Sequence, residues 1–240
     1  VPWIVGMSGG LDSSVTAALL CAALGKERVY GYNIATQHNS STTISNAAKE
    51  AQALGIHYKE GNMKSLIQAS AELLRQEYGY DVEEMPSLVM ENLQARSRGY
   101  LLSGFAGILG GVVVNNGNKV ETALGYCTLY GDSIGALSVI GDLTKVQLFE
   151  LSVALNDRFG KEVIPCNLLP RVHEHGIDWE MPPSAELKDA QLDPMKWFYH
   201  DYLIEHLGLD LTLRAFMESY ADGSIWEQDI ARWLSYYGLD

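Results

Sequence analysis

The segment that most restricts how this chain can fold is the Ser-Gly-Gly loop, which we define as residues 6–13. An apolar run typical of a buried strand, residues 3–7, leads directly into it. After it, apolar residues recur at helical spacing over residues 12–24, and Gly25 marks the end of that helix. Glycines and serines at such a junction favour anion binding, because backbone N–H groups and the positive end of the helix dipole converge there. The loop therefore predicts a βα unit with an anion site at its turn.

The same strand-and-helix pattern continues along the chain. We predict further strands at about residues 29–34, 56–59 and 111–115, and helices at about residues 44–54, 65–78 and 88–109. Alternation at this spacing favours a parallel sheet with right-handed crossover connections. The predicted fold class is α/β, an open parallel sheet wrapped by helices, with a C-terminal helical segment.

Residues 1–240 are expected to form a single domain, because the sequence contains no low-complexity linker and no internal repeat. Within it we predict an α/β core over residues 1–160, loops of the site over residues 161–195 and a helical tail over residues 196–240. Residues 119–142, rich in Gly, Thr and Tyr, are predicted to form loops with short helical turns. Asp142 is predicted to cap a helix over residues 143–159.

The composition excludes several classes of function. A formal net charge of -13, with no run of Lys and Arg longer than two, indicates no nucleic-acid partner, since phosphodiester backbones would be repelled. No apolar run reaches the roughly 18 residues that a membrane span needs, so no membrane partner is expected. The cysteines are too few and too scattered for a disulfide framework, which favours a reducing, cytoplasmic location.

The spacing within the Ser-Gly-Gly loop distinguishes it from other nucleotide loops. It lacks the Gly-x4-Gly-Lys-Ser/Thr spacing of a Walker loop, and it lacks the Gly-x-Gly-x-x-Gly dinucleotide pattern. Residues 8–13, Ser-Gly-Gly-Leu-Asp-Ser, instead resemble the Ser-Gly-Gly-x-Asp-Ser signature of the ATP pyrophosphatase family. The alternative is an ordinary tight turn capped by Asp12 or Ser13.

This resemblance implies that the loop binds the β- and γ-phosphates of ATP, which leave together as pyrophosphate while a substrate is adenylated. The implied ATP contacts are Gly6, Ser8, Gly9, Gly10, Leu11, Asp12 and Ser13. A carboxylate among phosphates is unfavourable unless a cation joins it, so Asp12 is expected to bind Mg²⁺. Residues 1–160 would then be a nucleotide-binding core.

Blocks further along the chain resemble the NAD synthetase family in order and in spacing. They are Glu-Asn-Leu-Gln-Ala-Arg-Ser-Arg at 91–98, Asn-Gly-Asn-Lys-Val-Glu at 116–121, Thr-Leu-Tyr-Gly-Asp at 128–132, Asp-Leu-Thr-Lys at 142–145 and Pro-Ser-Ala-Glu-Leu at 183–187. The resemblance covers about residues 3–210 and implies an adenine nucleotide alpha-hydrolase-like fold. It also implies ATP-dependent amidation of deamido-NAD to NAD by ammonia, through an adenylated intermediate, with release of AMP and pyrophosphate.

The resemblance also implies catalytic and metal-binding roles. Glu121 would be a second Mg²⁺ ligand, close to deamido-NAD, and Lys145 would contact ATP and stabilise charge at its α-phosphate. Asp132 would position or deprotonate the incoming ammonia. The alternatives are solvated loop acids for Glu121 and Asp132, and a helix lysine without a ligand for Lys145.

Further nucleotide contacts follow from the same resemblance. Ser184 would touch ATP, and Asn92 and Arg96 would bind deamido-NAD. The alternative for Arg96 and Arg98 is that both are surface charges of a helix. Adenine contacts are expected within residues 33–37 and 40–43, where Ser and Thr would serve equally well as helix caps.

Residue 129 indicates which form of the family the chain resembles. The ammonia-using form has a lysine there that touches deamido-NAD, whereas Leu129 resembles the glutamine-using form, in which a glutaminase domain precedes the synthetase. The chain begins at Val1 without a methionine, so we expect a synthetase domain whose upstream glutaminase domain is absent. Family members are homodimers, and small residues of the 88–109 helix suit packing between subunits: Ala95, Gly99, Ser103, Ala106 and Gly107.

The sequence departs from the family pattern at two places, and it leaves two rival functions open. The family's Gln-x-Asp-Glu block becomes Gln-Leu-Asp-Pro at 191–194, and no basic segment like the family's follows Asp240. One rival function is another adenylating synthetase, such as a GMP synthetase-like enzyme. The other is a non-catalytic nucleotide-binding module.

Overall fold

A computed structural model of the chain describes residues 1–35, 41–81, 84, 86–184, 192–207 and 212–239. In chain order its strands are β1 (Trp3–Gly6), β2 (Val29–Ala35), β3 (His57–Asn62), β4 (Val112–Asn115), β5 (Leu137–Ser138), β6 (Arg171–His173) and β7 (Gly176–Asp178). Its helices are α1 (Leu11–Leu24), α2 (Ser41–Leu54), α3 (Lys64–Tyr78), α4 (Ser87–Leu109), α5 (Lys119–Leu124), α6 (Lys145–Phe159), α7 (Tyr199–His206), α8 (Leu213–Asp222) and α9 (Ala231–Tyr236).

The main sheet of the described residues has five strands in the order β3-β2-β1-β4-β5, and all neighbouring strands are parallel. In β1, Trp3 pairs with Val29 of β2 on one side and with Val112 of β4 on the other. The chain order reverses between β1 and β4, and open parallel sheets bind ligands at the carboxyl ends of strands at such a point. The predicted fold class is confirmed, and the Ser-Gly-Gly loop lies at this switch point.

Strand β1 is buried on both faces, as a central parallel strand requires. Ile4 packs into a cluster with Leu102 of α4 and Val113 of β4. Val5, its neighbour, packs on the opposite face with Val15 of α1. Helices α1, α2 and α6 therefore cover one face of the sheet, and α3 and α4 cover the other.

The start of α6 differs from the prediction. The helix begins at Lys145, and its cap is Thr144: the Thr144 hydroxyl accepts from the Gln147 N–H, and the Gln147 side chain accepts from the Thr144 N–H. The prediction that Asp142 caps this helix is wrong, because this reciprocal capping box sets the helix start two residues later. As a consequence, Lys145 lies in the first turn of α6.

Segments predicted to lack strands contain short ones. Strand β5 pairs with β4, Val114 opposite Leu137, within residues expected to form loops and helical turns. Strands β6 and β7 form an antiparallel hairpin in which Val172 pairs with Ile177. These strands are too short to show the alternation on which sequence prediction relies.

The predicted helical tail contains α7, α8 and α9. A hydrophobic cluster within the tail is formed by Phe216, Ile225, Ile230 and Leu234. Trp197, just before α7, packs with Val120 of α5, so the tail contacts the core beside the end of β4. Within the described ranges, no helix is both long and apolar enough to cross a bilayer.

Candidate active site

A cleft of about 1190 Å³ opens at the carboxyl ends of β1 and β4. Its walls come from the Ser-Gly-Gly loop, the residues after β4, the first turn of α6 and the segment after β7. The predicted site residues that line it are Gly6, Ser8, Gly10, Leu11, Asp12, Ser13, Glu121, Asp132, Lys145 and Ser184. The fold therefore brings most of the predicted ATP-binding, metal-binding and catalytic residues to one place.

Hydroxyl groups organise the Ser-Gly-Gly loop. The Ser13 hydroxyl donates to the Gly10 carbonyl at 3.0 Å and accepts from the Ser8 N–H at 3.2 Å. The Gly10 N–H donates to the Ser8 hydroxyl at 3.2 Å. These bonds close the loop into a compact turn at the end of β1.

Helix α1 starts at this loop without a side-chain cap. Its N-cap is Gly10, which has no side chain to accept from the first-turn N–H groups, whereas Asn118 caps α5 and Thr144 caps α6. An uncapped helix start at the end of a strand favours an anion as the partner of those N–H groups. The Ser13 hydroxyl closes the turn itself, as the alternative of an ordinary tight turn also expects, so the uncapped N–H groups of the helix start are the feature that favours an anion.

Gly9, within the loop, is not among the described residues that line the cleft. Its φ of +83° is one that glycine adopts readily, and a Cβ there would lie 1.9 Å from the carbonyl oxygen of Thr43 in α2. Gly9 therefore allows α2 to pack directly against the loop.

Asp12, Glu121 and Lys145 form what we call the charge cluster. The Lys145 ammonium pairs with Oδ2 of Asp12. Asn118 links the two carboxylates: its Nδ2 donates to Oδ1 of Asp12 at 2.9 Å, and its backbone N–H donates to Oε2 of Glu121 at 3.2 Å. Lys145 is 2% exposed and Asn118 is 0% exposed, so the fold itself fixes the cluster.

The two carboxylates of the cluster repel each other. Burial raises the pKa of Glu121 to about 8, with repulsion from Asp12 adding to the rise and attraction to Lys145 opposing it. Burial by itself would lower the pKa of Lys145, but attraction to Asp12, Glu121 and Asp193 outweighs burial, and the pKa is raised. Lys145 therefore stays charged, but its attraction does not offset the effect of burial on Glu121.

This donor set fits a divalent cation bound together with phosphate. Mg²⁺ in nucleotide sites is held by one or two carboxylates plus substrate phosphates, which matches Asp12 and Glu121. A cation held by these carboxylates would offset the repulsion that helps to raise the pKa of Glu121. Among the described residues, no group of three or more His, Cys, Asp and Glu could hold a metal ion, so phosphate oxygens would have to complete its ligands.

Asp132 lies on the opposite wall, near Arg98 of α4. Its Oδ1 accepts from the Thr128 N–H at 2.5 Å. Burial raises the pKa of Asp132, and backbone donors, including the Thr128 N–H, oppose the rise. Burial lowers the pKa of Arg98, and the Asp132 carboxylate opposes that fall. Arg98 also lines the cleft, so this wall presents a guanidinium beside a carboxylate.

Asn92 and Arg96, predicted to bind deamido-NAD, lie on α4 outside the described lining of the cleft. Oδ1 of Asn92 accepts from the Thr128 hydroxyl at 2.7 Å, and Nε of Arg96 donates to the Leu129 carbonyl at 3.2 Å. Both residues thus attach the following loop to the helix. Arg98 faces the cleft instead, because two residues turn a helix by about 200°.

Sequence reasoning missed Arg98, Asn116 and Asn118 as parts of the site. Asn116 lines the cleft; its Nδ2 donates to the Gly6 carbonyl at 2.8 Å, and its Oδ1 has no hydrogen-bond partner among the described residues. The signal for Arg98 was the helical periodicity of the Asn-x-x-Ala-Arg-x-Arg block. For Asn116 and Asn118, the signal was their position just after β4, the strand that forms the switch point with β1.

Part of the predicted site lies outside the described residues. Of the residues expected near adenine, Thr42 and Thr43 line the cleft, whereas Thr36, Gln37 and Ser40 are not described. Residues 185–187 of the Pro-Ser-Ala-Glu-Leu block and Gln191 are not described either.

Comparison with known proteins identifies the family. The chain matches the family model of NAD synthase over residues 2–210. The glutamine-dependent NAD(+) synthetase of Acinetobacter baylyi is 33% identical over 90% of this chain and 36% of its own length, and that of Thermotoga maritima is 35% identical over 91% and 35%. The NH(3)-dependent NAD(+) synthetase of Methanococcoides burtonii is 34% identical over 79% of this chain and 64% of its own length. The chain thus spans about a third of the length of the glutamine-dependent relatives.

Solved structures share the fold. A glutamine-dependent NAD+ synthetase from Acinetobacter baumannii, in complex with ADP, has a TM-score of 0.67 at 28% identity, covering 99% of this chain and 40% of that one. The NMN synthetase of Francisella tularensis has a TM-score of 0.70 at 22% identity, covering 94% of this chain and 85% of that one. Because the family model matches residues 2–210 of 240, the chain belongs to the NAD synthase family.

Proposed function

We propose that this chain carries the synthetase activity of an NAD synthetase. It would convert deamido-NAD to NAD with ATP and ammonia, through an adenylated intermediate, and release AMP and pyrophosphate. The observation that supports this best is one cleft that joins the uncapped start of α1 with the charge cluster. A helix start, an ammonium and two carboxylates suited to Mg²⁺ are the groups that a reaction at the α-phosphate of ATP needs.

The reaction has a clear chemical requirement. A carboxylate is a poor electrophile, so its oxygen first has to become a good leaving group. The nicotinate carboxylate oxygen of deamido-NAD attacks the α-phosphorus of ATP, and the bond from that phosphorus to pyrophosphate breaks. Ammonia then adds to the carbonyl carbon of the mixed anhydride, AMP leaves with the bonding electron pair, and a proton is lost from nitrogen. Water would hydrolyse the anhydride, so its exclusion is part of the task.

The walls of the cleft divide these roles. The Ser-Gly-Gly loop and the first turn of α1 would bind the β- and γ-phosphates, and Ser184 would contact ATP. Asp12 and Glu121 would hold Mg²⁺, which supplies charge neutralisation for the departing phosphates. Lys145 would stabilise the negative charge that develops at the α-phosphate.

The opposite wall would receive deamido-NAD and ammonia. We assign Asp132 to position ammonia and to accept its proton, since its carboxyl lines the cleft and burial raises its pKa, which makes it a stronger base. Arg98, which lines the cleft, is a further candidate for an anionic group of deamido-NAD. Asn92 and Arg96 would bind parts of this substrate that extend along the outer side of α4.

A homodimer is part of this proposal. An exposed face of α4 combines apolar and small residues: Tyr100 is 70% and Ile108 is 81% exposed, with Ser103 and Gly107 exposed between them. Small residues between large ones let two helices pack ridge into groove at close range. The other small residues that the sequence suggested for this role are buried within the chain itself: Ala95, Gly99 and Ala106. Arg96 lies on the same exposed face, so a second copy would pack close to it.

The source of ammonia is a further part of the proposal. Leu129 in place of a lysine, and the glutamine-dependent relatives, support a glutaminase domain that delivers ammonia to this one in the full-length protein. A cytoplasmic location fits the free thiols of Cys21, Cys127 and Cys166.

The direct test is formation of NAD by the purified chain from deamido-NAD, ATP, Mg²⁺ and ammonium. We expect NAD and pyrophosphate in equal amounts, and no NAD when glutamine replaces ammonium. Pyrophosphate release that requires xanthosine monophosphate instead of deamido-NAD would favour a GMP synthetase-like enzyme. Calorimetric binding of ATP without turnover of either substrate would favour a non-catalytic module.

A further inference from the structure

The helical tail contributes part of the environment of the Lys145 side chain. It is the first residue of α6, so the place of its side chain in the cleft follows the place of the helix start. Its Nζ lies 5.0 Å from the centroid of the Trp197 ring, and Trp197 is buried. The ammonium therefore lies between Asp12 of the core and an aromatic face that belongs to the tail.

Asp201 of α7 binds the backbone next to Lys145. Its Oδ1 accepts from the Val146 N–H at 2.7 Å, and its side chain also bonds to the Thr144 hydroxyl at the helix cap. The Val146 N–H is one of the first-turn donors that a helix leaves without an intrahelical partner. Asp201 is 2% exposed, so this carboxylate supplies the Val146 N–H with an acceptor in a buried place.

The turn before α7, to which Asp201 also bonds, holds an unfavourable backbone conformation. Phe198 has a φ of +71°, which is unfavourable for a bulky residue and persists only where surrounding contacts require it. Those contacts are visible: Oδ2 of Asp201 accepts from the Phe198 N–H at 3.3 Å, and the Phe198 ring stacks on Trp233 at 4.5 Å.

We propose that Asp201 is a positioning residue for Lys145, which ties the first turn of α6 to the tail and so sets where the ammonium stands in the cleft. The inference rests on the proposed function for the role of Lys145 itself. It adds a residue that lies outside the described lining of the cleft and acts on the substrate only through Lys145. The negative charge of Asp201 at the start of α6 is also favourable for the helix dipole.

This arrangement predicts which kinetic constant should change. A small displacement of Lys145 reduces the stabilisation of charge that develops at the α-phosphate in the transition state. The contacts of ATP with the Ser-Gly-Gly loop do not depend on Asp201. The effect should therefore fall on kcat more than on KM for ATP.

Asp201→Ala is expected to lower kcat for NAD formation about tenfold and to change KM for ATP less than about threefold. Asp201→Asn keeps an acceptor for the Val146 N–H and should retain most of the activity. The matched control is Glu205→Ala on the same helix, since Glu205 accepts from the Gln147 side chain at 2.6 Å rather than from backbone beside Lys145. This control should leave kcat unchanged.

A double-mutant cycle separates positioning from a general loss of structure. In a Lys145→Ala background, Asp201→Ala should cause no further loss of kcat, because the side chain through which it acts is gone. Additive losses would overturn the proposal. Equal losses from Asp201→Ala and Glu205→Ala would also overturn it, because docking of the tail as a whole would then explain both.

Hydrogen exchange gives a measurement that does not depend on turnover. Asp201→Ala should speed exchange of the Val146 amide by about tenfold or more, whereas Glu205→Ala should not. Unchanged exchange in Asp201→Ala would overturn the proposal. If the wild-type chain forms no NAD, the proposed function fails, and the exchange result still decides whether Asp201 fixes the start of α6.

Discussion

The two walls of the cleft differ in how completely one chain builds them. The loop wall consists of the Ser-Gly-Gly loop, the charge cluster and the first turn of α6, and its Lys145 and Asn118 are buried and linked to Asp12. The helix wall consists of α4 and residues 126–135. There Leu129 is 66% and Tyr130 is 82% exposed. The loop wall is thus complete within the chain, whereas the helix wall leaves large apolar side chains uncovered.

This difference in burial indicates how each wall binds its ligand. The loop wall is preorganised, because Lys145 is already paired with Asp12 and Asn118 links Asp12 to Glu121 before ATP binds. Large apolar side chains that remain exposed beside a site mark a surface that another molecule covers. We therefore expect the helix wall to reach its final form only when deamido-NAD and a second subunit pack against it.

The largest effect should come from Asp12→Asn, which breaks the loop wall. The change removes a proposed Mg²⁺ ligand and leaves the buried Lys145 ammonium without its ion-pair partner. Pyrophosphate release should fall by about 10³-fold, and the free energy of unfolding should fall by about 3 kcal/mol. The control is Asp142→Asn, an exposed acid at the rim of the same cleft, which should be close to wild type. Near-normal turnover of Asp12→Asn would remove Asp12 from the metal site.

The loop wall and the sheet were the parts that the sequence could predict. The apolar run, the glycines and the helical spacing that follow one another over residues 3–24 are local patterns, and each dictates the backbone geometry of its own segment. The Asn-Gly-Asn-Lys-Val-Glu segment could likewise be placed after a strand. Asp12, Glu121 and Lys145 then meet because the carboxyl ends of parallel strands share one edge of the sheet.

Contacts between distant elements could not be predicted in this way. Asp201 binds Val146 across 55 residues, and Glu50 binds Ser14 across 36. No local periodicity shows that a carboxylate on one helix will face the backbone or a hydroxyl of another. The same limit applies to the two arginines of α4: the sequence does not show that Arg96 attaches the loop after residue 125 to the helix, whereas Arg98 lines the cleft.

The next largest effect should come from Tyr100→Glu, which tests whether a second subunit completes the helix wall. A carboxylate in the middle of an apolar interface would be buried without a partner, so association should weaken by about 100-fold. Sedimentation should show monomers, and KM for deamido-NAD should rise, while ATP affinity stays unchanged. Tyr78→Glu is the control, since Tyr78 is 67% exposed at the end of α3. A wild-type monomer, or a dimer unaffected by Tyr100→Glu, would exclude this face as the interface.

Glu50 of α2 is buried behind the Ser-Gly-Gly loop and bonds to Ser14 of α1. It is 1% exposed, and its Oε2 lies 2.8 Å from the Ser14 hydroxyl, which donates to the Gly10 carbonyl at 3.0 Å. Oε1 has no hydrogen-bond partner among the described residues. Burial raises the pKa of Glu50 to about 8, with the Ser14 bond opposing the rise. A protonated Glu50 can donate to Ser14, whose own hydrogen is then free for Gly10.

Glu50→Gln should stabilise the fold increasingly as the pH rises. Because the pKa of Glu50 is raised by folding, the folded state binds this proton more tightly than the unfolded state. Wild type therefore loses stability between about pH 5 and pH 8. Glutamine keeps the donor and does not titrate, so its advantage in unfolding free energy should grow by about 2 kcal/mol or more over that range. Urea denaturation at both pH values measures this, and an advantage independent of pH would contradict it. Glu60→Gln, exposed on β3, is the control.

The smallest effect should come from Gly99→Ala, a local change to the helix wall. A Cβ at Gly99 would lie 2.8 Å from the Tyr130 carbonyl oxygen and 3.0 Å from that of Gly131, so the loop that carries Asp132 has to shift. Overpacking of this kind costs about 1–2 kcal/mol, partly offset by about 0.8 kcal/mol of helix propensity. Gly61→Ala on β3 is the control, because a Cβ there meets no atom within 4 Å and Gly61 lies away from α4.

The effects of Gly99→Ala on deamido-NAD and on ATP, measured separately, show whether the two walls act independently. Since the shifted loop belongs to the helix wall, KM for deamido-NAD should rise by about fivefold in Gly99→Ala. Calorimetric affinity for ATP should match wild type, because the charge cluster and the Ser-Gly-Gly loop make their contacts without Gly99. If ATP affinity fell together with deamido-NAD affinity, ATP binding at the loop wall would depend on the helix wall. The conclusion that one chain builds the whole loop wall would then be wrong.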